Sequence, residues 1–129
     1  MTYRDVSLSG EGLAVLMEPV LPSLDERARP DWARLLAAQA GRMVSGRVTD
    51  KAWLLGNYRM RLNTAERVGL PAPEGLTAVV ETMDAAPESE VVFLLFAWGA
   101  HGYLIWLAPD LSRVVAVWRA RDRRVPDAA

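Results

Sequence analysis

Between Val91 and Pro109 the chain carries no Asp, Glu, Lys or Arg over nineteen residues. A run of that length nearly spans a bilayer as a helix. The arginines behind it (Arg113, Arg119, Arg121, Arg123, Arg124) have the charge asymmetry that orients membrane helices. The interior of the run argues for something else. Gly99-Ala100-His101-Gly102 weakens a helix at its middle and marks a turn. The flanks, Val91–Phe96 and Tyr103–Leu107, are β-branched and aromatic and of strand length. The stretch therefore reads as a β-hairpin, with strands over about 90–98 and 103–107. A third strand over 113–119 follows the turn signal Pro109-Asp110-Leu111-Ser112. Short connections make the three an antiparallel meander.

Antiparallel strands usually alternate apolar and polar, because one face meets water. These do not. Val91, Phe93 and Leu95 point one way and Val92, Leu94 and Phe96 the other. Tyr103, Ile105 and Leu107 oppose Leu104 and Trp106, and Val115 and Val117 oppose Val114, Ala116 and Trp118. Each face measures roughly 270 Å² in plan from strand length and spacing. Its accessible area approaches what monomers seldom expose. Both faces therefore need cover. Either the chain's own helices split across the two faces, or a second chain supplies a layer.

The helices lie upstream. Asp5–Ser9 reads as a short strand and 10–18 as a short helix ended by Pro19. Ser23 and Glu26 have capping-box spacing for a helical turn that stops before Pro30. Residues 31–45 carry Trp32, Leu35, Leu36, Gln39, Met43 and Val44 at helical spacing, with Gly41 weakening the interior. Residues 51–62 fit either a helix face or an alternating strand, and the reading leans to a strand from Tyr58 to Leu62. Asn63 with Glu66 can cap a short helix ended by Gly69 and Pro71. Residues 74–84 form an amphipathic helix through Leu76, Val79, Val80 and Met83. The fold expected is α+β: a helical N-terminal two thirds packed on a C-terminal three- to four-stranded antiparallel β-meander. One domain over 1–129, with 120–129 as a frayed tail, fits 129 residues.

Composition narrows the chemistry. Fifteen basic and sixteen acidic residues leave a net charge of −1, which argues against an extended nucleic-acid footprint. There is no cysteine and one histidine, so thiolate chemistry and Cys- or His-cluster metal sites are excluded. No metal and no cofactor is expected. The start, Met1-Thr2-Tyr3-Arg4-Asp5, lacks the pattern of a secretory signal, so a cytoplasmic location is the default reading.

The motifs present are weak ones. Ser9-Gly10-Glu11-Gly12-Leu13-Ala14-Val15 follows a strand and opens a helix, but Val15 stands where a dinucleotide fingerprint has its third glycine. The pairs Glu81/Asp84 and Glu88/Glu90 read as solvated surface rather than an acid–base couple. His101, the lone imidazole, lies in a loop between apolar strands and reads foremost as a turn residue, with a general base as the sharper alternative. Tyr58, Arg59 and Arg61 with the C-terminal arginines make a candidate anion patch. Of the five tryptophans, Trp98 and Trp106 sit near a hairpin end, where aromatics serve as contact anchors.

The segment Phe96-Ala97-Trp98-Gly99-Ala100-His101-Gly102-Tyr103, followed by Leu107-Ala108-Pro109-Asp110 and Val114-Val115-Ala116-Val117, resembles the last strands of β-lactamase-type serine hydrolases. The resemblance covers about thirty residues. The family's Ser-x-x-Lys nucleophile motif is missing, since Val48 stands three residues before Lys51, and so is its tyrosine motif. No catalytic role is carried over.

These readings converge on a non-enzymatic protein-binding module, of the kind an adaptor, an immunity-type inhibitor or an accessory subunit would be. It would act through apolar surface toward a protein partner or a second copy of itself. Candidate binding residues are Trp98, His101, Tyr103, Trp106, Tyr58, Arg59 and Arg61. The alternative is a small-molecule or small enzyme pocket between sheet and helices that uses His101, Arg59 or Tyr58. Nucleic acid and membrane rank below both.

Overall fold

The computed structural model describes residues 4–121. Strand β1 (Arg4–Ser9) leads into helix α1 (Gly10–Met17), where the Ser9 side chain caps the helix by accepting from Gly12 N–H at 2.9 Å. A single 3₁₀ turn (Leu21–Ser23) and α2 (Arg29–Ala38) follow. The Ser23 capping box does not form. Its hydroxyl donates backward to Val20 O, and Asp25 accepts from Arg27 N–H instead. Pro30 then opens α2, as its preset φ allows.

The expected helix over 31–45 ends at Ala38. Gly41 adopts φ +76°, a left-handed conformation open to glycine, and the Glu11 carboxylate accepts its N–H at 2.5 Å. That bond holds the Glu11 pKa below its ordinary value. The chain turns here into β2 (Met43–Asp50), a strand absent from the sequence reading. Met43 and Val44 fit helical spacing, yet they alternate with the strand: Val44 and Val48 are buried while Met43, Ser45 and Arg47 are exposed.

Residues 51–62 resolve as helix. Asp50 caps α3 (Lys51–Arg67) by accepting from Ala52 and Trp53 N–H. Leu54 and Tyr58 are then buried and Leu62 half-buried on one stripe, so the strand leaning at Tyr58–Leu62 is corrected. Asn63 and Glu66 are interior to the same helix, and Gly69 at φ +74° stands just beyond its end. Helix α4 (Leu76–Ala85) buries Leu76, Val79, Val80 and Met83, the stripe expected of it.

Strands β3 (Glu90–Trp98), β4 (His101–Leu107) and β5 (Val114–Arg121) form the expected meander. The hairpin turn is tighter than its sequence suggested, because His101 and Gly102 already belong to β4. Ala120 and Arg121 belong to β5. Residues 122–129 of the expected tail lie outside the described residues. No helix among the described residues is long and apolar enough to cross a membrane.

All five strands join one antiparallel sheet in the order β1-β2-β3-β4-β5. The fold is α+β, with strands interspersed among the helices. The expected separation into a helical N-terminal part and a C-terminal meander is corrected by β1 and β2. The need to cover a doubly apolar sheet explains the layering. Leu13, Met17, Trp32, Leu35 and Leu36 from α1 and α2 join Val92, Leu94, Tyr103 and Ile105 on one face. Leu54, Leu55, Tyr58, Val79 and Met83 from α3 and α4 join Val91, Trp106 and Trp118 on the other. The chain's own helices thus divide between the faces. Burying each such side chain stabilises by about 1.5–3 kcal/mol, offset by the entropy of ordering it.

One register detail departs from simple alternation. Trp106 pairs with Ala116 and Leu107 with Val114, which leaves Val115 as an extra residue. The bulge puts Val115 beside Ala116 in the α3/α4 core and Val114 against the α1/α2 core.

Candidate functional site

Among the described residues strand β5 is an edge of the sheet. Roughly half of an edge strand's backbone N–H and C=O groups point away from its neighbour. Here that edge lies along the floor of a groove of about 950 Å³, lined by all of Val114–Arg121. One wall comes from Val20, Leu24, Asp25, Ala28 and Trp32, the other from Pro73, Glu74, Gly75, Ala78, Val79 and Thr82.

Each wall is anchored. The Arg29 guanidinium donates to Pro22 O and Leu24 O, closing the turn before α2. The Trp118 indole N–H donates to Glu74 O at 2.7 Å, fastening the turn before α4 to β5. Trp118 is itself buried edge-on to Tyr58. A groove between anchored walls is largely pre-formed, which lowers the ordering cost of binding.

The carboxyl end of β5 is basic. Arg119 pairs with Asp31 at 3.2 Å, and Asp31 also holds Arg34 at 2.9 Å. His101 is the cross-strand partner of Arg121 and lies 6.2 Å from the Tyr103 ring. Its pKa is lowered, first by burial and then by Arg119, with Asp31 opposing and Arg121 adding to the shift. The imidazole is thus held toward its neutral form.

The sheet separates the residues singled out from the sequence. Trp98, His101 and Tyr103 lie on the α1/α2 side, with Trp98 opposite His101 across the β3–β4 register. Tyr103 is buried, edge-on to Trp32 at 4.9 Å. Tyr58 and Trp106 pack against each other at 5.9 Å in the other core. Burial pushes the Tyr58 phenol up to about 12, with Arg61 pulling weakly against it. Arg59 pairs with Asp84 at 3.1 Å on the surface. Of these residues only His101 and Arg61 line the groove. Arg119 and Arg121 of the anion patch line it too, while Arg123 and Arg124 lie outside the described residues. One carboxylate of each acidic pair faces a cation: Asp84 takes Arg59 and Glu88 takes Arg113.

Sequence reasoning missed both walls and the role of Asp31. One signal for the floor was present, since the last strand of a meander has a neighbour on one side only. Among the described residues no cluster of three His, Asp or Glu side chains could hold a metal ion.

No protein-family model, curated protein or solved structure matches this chain. Lys51 sits at the start of α3, donating to Ala86 O at 2.5 Å.

Proposed function

We propose that this chain is a non-enzymatic protein-binding module that takes an extended segment of a partner protein into the β5 groove. The observation that carries the reading is a strand edge, open among the described residues, with an anchored turn standing on either side of it. An added strand satisfies the outward backbone groups, and side-chain pockets beside the edge select it. This moves the interaction surface from the sheet faces, which the chain's own helices occupy, to the sheet edge. An adaptor, an inhibitor or an accessory subunit could each use such a groove.

The walls also bear on which kind of partner fits. A second copy pairing β5 with β5 would bring its own two helical walls against the first pair. A lone strand fits where a layered body collides. The small-molecule alternative has less support: Tyr58 is buried in the core and Arg59 is engaged on the surface, so neither lines the groove.

The test uses Ala78, an exposed α4 position on the groove wall. Peptides selected from a random library against the natural chain should lose at least tenfold in affinity for Ala78→Trp, about 1.4 kcal/mol. Amide exchange should slow at 114–121 when they bind. Peptides that bind the variant equally well would remove the reading. So would a solution dimer of the natural chain that Ala78→Trp dissociates, which would replace the foreign segment with a second copy.

A further inference from the structure

We infer that Leu70-Pro71-Ala72-Pro73, on the surface between α3 and α4, is a docking segment for a second protein, one whose groove of aromatic rings receives chain in the polyproline conformation. Apart from Pro73, which also lines the β5 groove, these residues take no part in that site. Covalent geometry sets the segment's shape. Each proline ring holds its own φ near −65° and pushes the residue before it, Leu70 or Ala72, toward extended backbone. All four residues belong to neither helix nor strand. Both ends are held. Gly69 N–H donates to Glu66 O at 3.1 Å and Leu70 N–H to Ala65 O at 2.9 Å, closing the end of α3. Pro73 O accepts from Leu76 N–H at 3.1 Å, and Glu74 O accepts from the Trp118 indole. A segment ordered before it binds loses little entropy on binding.

The segment is also open. At a helix end of this kind the residue in the place of Leu70 frequently packs back onto the last turn. Leu70 is instead 64% exposed, and Val68 before it is 58% exposed. Pro71 and Ala72 are exposed as well, and no residue from Val68 through Pro73 is charged. The carbonyls of Leu70, Pro71 and Ala72 accept no hydrogen bond among the described residues. The backbone selects the kind of partner. Pro71 and Pro73 have no N–H, so a sheet edge, which needs donors along the strand it receives, is a poor fit. The same prolines prevent the segment from entering an apolar groove as a helix. Aromatic ring faces suit Leu70 and Pro71, and tryptophan N–H or tyrosine O–H groups can donate to the free carbonyls.

The whole chain, titrated into isotope-labelled SH3, WW and EVH1 domains and followed by NMR, tests this. At least one domain should bind the natural chain saturably through its aromatic groove. Its affinity should fall at least about fivefold in Pro71→Ala and in Leu70→Ser. Val15→Ser removes an apolar residue that is 63% exposed on α1, and should bind as the natural chain does. All three positions are exposed, so the variants should keep the natural circular dichroism spectrum. Three results would each overturn the assignment: no domain binds, Pro71→Ala binds as tightly as the natural chain, or Val15→Ser weakens binding as much as Pro71→Ala.

Discussion

The indole N–H of Trp118 donates to the backbone carbonyl of Glu74 across 2.7 Å, joining the edge strand to the turn that launches α4. Forty-four residues separate the two. The bond sets how far the α4 wall stands from the floor of the groove. Trp118→Phe keeps an aromatic ring but leaves that carbonyl without its donor. The expected cost is about 1–2 kcal/mol, read as a lower denaturant midpoint with an unchanged slope. Amides of residues 73–76 should exchange faster than in the natural chain.

Two glycines should respond differently to alanine. A Cβ at Gly10 would lie 1.8 Å from Gln39 O, so the start of α1 would have to move away from the end of α2. A Cβ at Gly41 meets nothing within 4 Å, and only its φ of +76° resists the change. Gly10→Ala should cost about 2–4 kcal/mol and Gly41→Ala about 1 kcal/mol. Parallel urea titrations give the order directly, and the reverse order would contradict the close approach of α1 to α2.

Tyr58 makes stability sensitive to high pH. Its folded phenol keeps the proton up to about 12, whereas an exposed phenol releases it near 10.0. The folded state is then the better proton binder, so the contribution is complete below about pH 10 and is lost as pH rises toward 12. The loss is on the order of 2 kcal/mol after discounting for partial solvent access. The natural chain should lose more of its unfolding free energy between pH 9.5 and 11.5 than Tyr58→Phe does. Parallel decline in the two proteins would show that the phenol is not held protonated.

His101 is the only imidazole, so a proton NMR titration reports it without overlap. Its midpoint should fall below the ordinary 6.5. Arg119→Ala should raise the midpoint and Asp31→Asn should lower it further, since the first repels the imidazolium and the second attracts it. With the folded pKa depressed, the unfolded chain binds more protons. Stability therefore declines as pH falls through and below 6.5. A midpoint unmoved by either substitution would separate His101 electrically from the groove.

The strands of the C-terminal meander were legible because their apolar residues are consecutive and bounded by turn signals. Helices α1 and α4 were legible because their stripes repeat cleanly. The failures share one cause. Met43 and Val44 satisfy both the helical spacing from Leu35 and Leu36 and the alternation of β2. Tyr58, Met60 and Leu62 alternate like a strand while Leu54, Tyr58 and Leu62 stack like a helix. Short windows carry both periods, and long-range contact selects one. Gly46 of β2 fits the gap beside Val92 and Leu94, where a Cβ would come within 2.6 Å of both. Tyr58 lies against Trp106 and Trp118, forty-eight and sixty positions later in the chain.

The amino-acid sequence alone settled that greasy strands near the carboxyl end require shelter on two sides, because side-chain direction alternates with every residue. It also removed thiol and imidazole-cluster chemistry, since those side chains are absent or solitary. Only the three-dimensional arrangement decided which helix shelters which side and where the sheet ends. Those outcomes depend on pairing between distant segments, such as β2 entering between β1 and β3. The floor and walls of the groove come from the last strand, the turn before α2 and the turn before α4. No local pattern announces that these meet, because their proximity is a product of packing the whole chain around one sheet.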